Sequence, residues 1–165
     1  MISMFGIISI AVALVSILAI VLHNRVMKRR TAVDYLTEEL ETLLRDRLGM
    51  LHRYSRPGTQ LRELCDVYMD LELESILFAL PEITAAFEDA KEAGSLVISE
   101  PLEEEPEQPE ASYVSMARLE SNADAIFEKT EALNQAIEVY NAFITHRLPE
   151  GLMARVLGLE VQELV

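Results

Sequence analysis

Few side chains in this 165-residue chain are of a type and spacing that carries chemistry. The three histidines, His23, His52 and His146, stand far apart, and none has a second His or a Cys at the short spacing of a metal site. Cys65 is the only cysteine, which excludes a disulfide framework and a thiolate cluster. It falls on the apolar stripe of its segment, where a cysteine acts as a small hydrophobe. No phosphate-cradling glycine loop, G-x-S-x-G elbow, H-E-x-x-H pair or Cys-x-x-Cys occurs. The sequence therefore gives no catalytic, cofactor-binding or metal-ligating residue, and the expectation is a protein that is not an enzyme and carries no cofactor. The glutamates at 103, 104, 105, 107 and 110 invite comparison with a calcium loop. Such a loop alternates its ligands around a turning glycine, whereas this run is interrupted by Pro106 and Pro109, so a solvated segment is the simpler reading.

Two polar groupings remain. Asn134 and Asn141 lie seven residues apart, each one position after an apolar seam residue, with Tyr140 beside the second. On a helix both asparagines share one flank, where they either fix the register of a neighbouring helix or dock a protein partner. Arg25, Lys28, Arg29 and Arg30 form a basic cluster directly after an apolar run. Cations in that position orient a membrane helix and contact anionic head groups, at about 1 kcal/mol per charge near the surface.

The elements that hold these groups follow from the apolar pattern. Residues 1–22 carry no charged side chain. As a helix they span roughly 33 Å, enough for a hydrocarbon core of about 30 Å. A cleaved leader would place its basic residues before the apolar core, and here they come after it. The reading is an uncleaved transmembrane anchor. By the positive-inside rule, residues 23–165 face the cytoplasm and Met1 lies outside. All 28 acidic residues come after position 30, where only 10 basic residues oppose them, a balance of -18 within a chain of net charge -14. That sign excludes nucleic acid as a partner of the body.

Beyond the anchor, Val33, Leu36, Leu40, Leu43, Met50 and Tyr54 recur at alternating spacings of three and four, with Arg47 in the intervening slot. This is a heptad seam, widened by Leu44, Leu48 and Leu51. One helix is expected to continue from the membrane to about Tyr54, where Ser55-Arg56-Pro57-Gly58 breaks it and Thr59 caps the next. Thr59 to Leu80 is expected as a second helix, and Pro81 to Ala93 as a short third that starts on its proline and closes at Gly94. Residues 94–112 hold three prolines, six glutamates and no basic residue, and read as an exposed acidic loop. The seam from Met116 through Leu119, Ile126, Leu133, Ile137, Tyr140 and Ile144 defines a long helix ended by Pro149-Glu150-Gly151.

The expected organisation is thus an anchor over 1–22, a basic juxtamembrane segment over 23–30 and the first helices of a bundle over 31–93. An acidic Pro-rich loop over 94–112, a long heptad helix over 113–148 and an apolar tail over 149–165 complete it. The fold class is all-α, with an N-terminal transmembrane helix continuing into an antiparallel helical bundle of long heptad-patterned helices.

Three stretches together resemble the LemA family of bacterial membrane-anchored proteins. After its anchor that family has a tract like Y-N-x-L-V-x-x-R-N-x-V, which His23-Asn24-Arg25-Val26-Met27-Lys28-Arg29-Arg30-Thr31-Ala32-Val33 follows. The same register brings Leu40-Glu41, Leu44 and Arg47 onto further family positions. Near the C-terminus, Leu133 to Ile144 is similar to Y-N-x-A-V-x-x-Y-N-x-x-I, with Pro149 and Leu157-Gly158 after it, and Leu80-Pro81-Glu82-Ile83-Thr84-Ala85 resembles Y-P-x-L-K-A. The resemblance implies a bacterial cytoplasmic membrane, a cytoplasmic helical bundle and no established enzymatic activity. The leading expectation is a non-enzymatic single-pass protein whose partners are the bilayer and other proteins. The alternative is a ligand-responsive, membrane-tethered sensor or regulatory module.

Overall fold

The computed structural model describes residues 4–96, 116–146 and 148–165. Of the described residues 83% are helical and none lies in a strand. The helices are α1 (Met4–Tyr54), α2 (Gln60–Tyr68), α3 (Leu73–Glu92), α4 (Met116–His146) and α5 (Glu150–Val156). An isolated antiparallel bridge joins Ser55 to Leu96.

α1 runs without a break for 51 residues because nothing in it stops a helix: it holds no proline, and its two glycines, Gly6 and Gly49, lie far apart. It is long and apolar enough, by length and composition, to cross a membrane. Its end is chemically marked. Gly58 takes a positive φ of 79°, a conformation that costs a side-chain-bearing residue but not glycine. The Thr59 hydroxyl then accepts from the Arg62 N–H at 3.4 Å, satisfying one of the first-turn donors of α2.

The described residues fall into two compact units. One takes in the chain up to Thr37 together with Glu131–Leu164; the other takes in Glu38–Thr130 with Val165. In the second unit the C-terminal part of α1 buries Leu40, Leu44, Leu48 and Leu51 almost completely, while Leu43 stays half-buried; Leu36, in the first unit, is half-buried too. The seam residue Leu40 is as deep as the widening leucines Leu44, Leu48 and Leu51, and of these second-unit leucines only Leu43 is shallower. Arg47 occupies its slot as a buried cation, donating from Nη1 to the Leu119 carbonyl at 3.1 Å. Burial lowers its pKa and the charge of Glu88 opposes that shift, so the guanidinium is a desolvated charge held by a backbone acceptor.

α2 and α3 pack on each other and correct the sequence reading. The break falls at Met69–Glu72, not at Pro81, and Pro81 lies inside α3. Two forces account for this. The stripe Ile76, Ala79, Ile83, Ala86, Phe87 and Ala90 is buried as one continuous face, and that burial outweighs the single backbone bond Pro81 cannot donate. At the real break, Arg45 donates from Nη1 to Met69 O at 2.5 Å and from Nη2 to Leu71 O at 3.0 Å, while also holding Glu41 at 2.8 Å. A cation from α1 therefore receives the carbonyls that leaving the helix exposes. The tail beyond residue 149, expected only as an apolar segment, contains α5. Most of the acidic stretch expected as a loop, residues 97–112, lies outside the described residues.

Candidate functional site

The first grouping sits in the unit that joins the chain up to Thr37 with Glu131–Leu164. α4 presents Tyr140 and Asn141 to the C-terminal tail. Asn141 Nδ2 donates to Gln162 O at 2.7 Å, and Gln162 N donates to Asn141 Oδ1 at 2.9 Å. One side-chain amide thereby satisfies both backbone groups of one residue, as a strand neighbour would. Tyr140 is 1% exposed, and its hydroxyl donates to Glu160 O at 3.3 Å. Burial raises the Tyr140 pKa; the nearby Arg30 opposes the rise and Asp34 adds to it. These two residues form a clasp on residues 160–162. The structure brings Tyr140 and Asn141 together on the tail, and Asn134 lies two turns earlier on α4, half-buried.

The clasp has a second attachment at α5. Gly151 is buried so closely against α4 that a Cβ there would lie 2.7 Å from the Ile144 carbonyl oxygen. Glu150, 7% exposed, accepts an ion pair from Arg25 on α1 at 3.7 Å.

Arg25, Lys28 and Arg29 line a cleft of about 370 Å³ together with Ala32, Phe143 and Glu150. Arg30 does not line it and pairs with Asp34 on its own helix at 3.9 Å. The basic cluster read from sequence is therefore divided: Arg25 is tied to α5, Arg30 is tied to the next turn, and Lys28 and Arg29 are exposed residues that line the cleft.

The second unit holds a grouping that the sequence did not suggest. Leu43, Arg45, Asp46, Arg53, Arg118 and Asn122 are among the residues lining a cleft of about 380 Å³. Asn122 Nδ2 donates to Leu43 O at 3.4 Å, and its buried Oδ1 has no hydrogen-bond partner. The signal available in the sequence was small: Asn122 stands just before Ala123, which continues the three-four spacing between Leu119 and Ile126.

His52 and Cys65 have structural employment. His52 Nε2 meets Asp66 at 2.8 Å, and Arg62 donates to the His52 carbonyl at 2.6 Å. Cys65 is fully buried, and burial first, with Asp66 adding and Arg62 opposing, pushes its thiol up to about 11. A thiol held protonated in this way is a poor nucleophile at neutral pH. His23 and His146 are exposed. Among the described residues no three His, Cys, Asp or Glu side chains are grouped to hold a metal ion, and the glutamate run lies outside them. No protein-family model, curated protein or solved structure matches the chain.

Proposed function

We propose that this is a single-pass membrane protein, similar to the LemA family, whose cytoplasmic helices form an antiparallel heptad-patterned bundle that engages other proteins or organises an envelope complex without catalysing a reaction. The observation that carries the reading is the exposure of the first turns of α1. Phe5, Ile10, Val15 and Leu18 point in different directions around the helix, and each is more than half exposed. A helix that is apolar all round is stable where its surroundings are also apolar, and a bilayer supplies them. A cleaved leader is the competing account of the same residues. Retention is favoured by the continuity of α1 through the basic cluster and by Leu22 and Val26, 6% and 0% exposed, which already belong to a packed unit. The basic residues after the apolar run favour a cytoplasmic C-terminal side.

The bundle reading draws support from three contacts in the second unit: Lys129 with Glu39 at 2.6 Å, Asn122 with Leu43, and Leu119 with Arg47. As the numbering rises along α1 it falls along α4, the sense of an antiparallel pair. Crosslinking in intact cells, followed by identification of what is joined to the chain, tests the partner role. A reproducible protein partner crosslinked from exposed positions on α3 or α4 is expected. Recovery of the uncrosslinked chain alone would contradict it.

The cleft beside Asn122 favours a second reading, the ligand-responsive module. Arg53 and Arg118 bring positive charge to it, with Asp46 as the opposing charge. A ligand that binds only the folded state raises its apparent stability. A screen of carboxylated and phosphorylated metabolites by thermal shift on the full chain in detergent therefore separates the two readings.

A further inference from the structure

α5 and the residue pair before it divide into two faces. Glu150, Gly151 and Ala154 are buried. Leu148, Leu152 and Val156 are exposed at 80%, 55% and 82%. Leu152 and Val156 lie one turn apart on α5 and share its outward side, and the exposed Leu148 lies just before the helix begins. Arg155, exposed, stands beside the stripe. Three large apolar side chains facing outward from a nine-residue stretch need an occupant, and the position of α5 says which one.

Glu150 reaches Arg25, three residues after the last residue of the uncharged run, at 3.7 Å. Three residues of helix advance about 4.5 Å. The polar head-group layer on each side of a bilayer is roughly 5–7 Å thick, half the difference between the whole bilayer and its hydrocarbon core. The ion pair therefore holds the first turn of α5 at head-group depth. Basic side chains gather at this end of the unit: Arg25 (paired with Glu150), Lys28 and Arg29 about one helical turn further along α1, and Arg155 on α5, in a chain whose balance after residue 30 is -18. An apolar stripe flanked by cations is the pattern of a helix lying in the membrane interface.

We infer that Leu148, Leu152 and Val156 are a second contact with the bilayer, lying in the interface beside the point where α1 leaves it, with Arg25, Lys28, Arg29 and Arg155 meeting anionic head groups. The inference rests on the reading of α1 as a retained membrane helix and goes beyond it. The Arg25–Glu150 pair and the close approach of Gly151 to Ile144 fasten α5 to the unit, so the interface would grip the folded body at a second site and restrict its tilt.

The test uses the full chain, with Cys65→Ala, reconstituted in vesicles of phosphatidylcholine and phosphatidylglycerol. A nitroxide is placed in turn at Ser16, Leu152, Val156 and the exposed Glu120. Collision with dissolved oxygen is compared with collision with an aqueous nickel complex. The labels at 152 and 156 are expected to be several-fold better protected from nickel than the label at 120, and shallower than the label at 16. If 16 is deep while 152 and 156 match 120, the interfacial contact is overturned and the anchor stands. If 16 also matches 120, the anchor reading fails and takes the interfacial contact with it.

Discussion

Residues 5–21 and residues 39–54 belong to the same uninterrupted helix, yet they distribute their apolar side chains in opposite ways. In the first segment Phe5, Ile10, Val15 and Leu18 are exposed on all sides and no charge interrupts them. In the second, Leu40, Leu44, Leu48 and Leu51 are buried along one side, while Asp46 and Arg53 stand exposed and Glu41 and Arg45 pair with each other. The backbone is equally helical in both. What differs is the medium each segment is made for: the first suits a surrounding that is apolar everywhere, the second a protein core on one side and water on the other. The basic cluster, Arg25 to Arg30, falls between them.

The largest effect that sharpens this contrast comes from truncating the buried side of the body. Leu44 is 1% exposed and Leu48 2%. Replacing either by Ala is expected to lower stability by about 2–5 kcal/mol, read by denaturation of the full chain in detergent. Leu14→Ala, on the exposed segment, is expected to change it by less than about 0.5 kcal/mol. Equal losses at both places would erase the distinction between the two segments.

A smaller loss is expected from Arg45→Ala. It deprives Met69 O and Leu71 O of their donor, at about 1–3 kcal/mol. Hydrogen exchange should quicken around the α2–α3 break and not in α4. Uniform quickening would mean that Arg45 supports the whole unit instead of this turn.

Asn141→Ala should cost about 1 kcal/mol or less, since the two hydrogen bonds it removes are exposed to water. Its visible result is release of the tail, with faster amide exchange at Gln162. A global loss of several kcal/mol would place Asn141 in the core of the bundle instead of on a clasp.

The last effect is confined to alkaline pH. The folded state holds the Cys65 thiol at about 11 against an ordinary 9.0, so the folded chain resists losing that proton more than the unfolded chain does. The stability this lends is fully present below pH 9 and is lost as pH rises towards 11. Tyr140, raised in the same direction, extends the loss further into alkali. Cys65→Ala is expected to flatten the decline between pH 9 and 11, measured as denaturation midpoint against pH.

Much of the helical layout was legible in the sequence because its signals are local. The missing helix breakers between residues 7 and 48 predict a single long helix, and Ser55 to Thr59 marks its end with a turn glycine and a capping hydroxyl. The α2–α3 break was misplaced because its cause is not local. Arg45, more than twenty residues earlier, holds the carbonyls at Met69 and Leu71, and buried packing carries α3 through Pro81. The flank occupied by Asn141 was readable from spacing, but its partner is the backbone of residue 162, which no side-chain pattern discloses. The cleft beside Asn122 was hidden for the same reason: its arginines are ordinary surface residues until α1 and α4 bring them together.

The central claim is that α1 stays attached and holds the body at a membrane. Its most direct measurement is the intact mass of the chain recovered from alkali-washed membranes of expressing cells. The account expects the whole chain of 18.6 kDa, with residues 1–22 in place, in the membrane pellet. A chain shortened by the apolar run and recovered in the soluble fraction would contradict it.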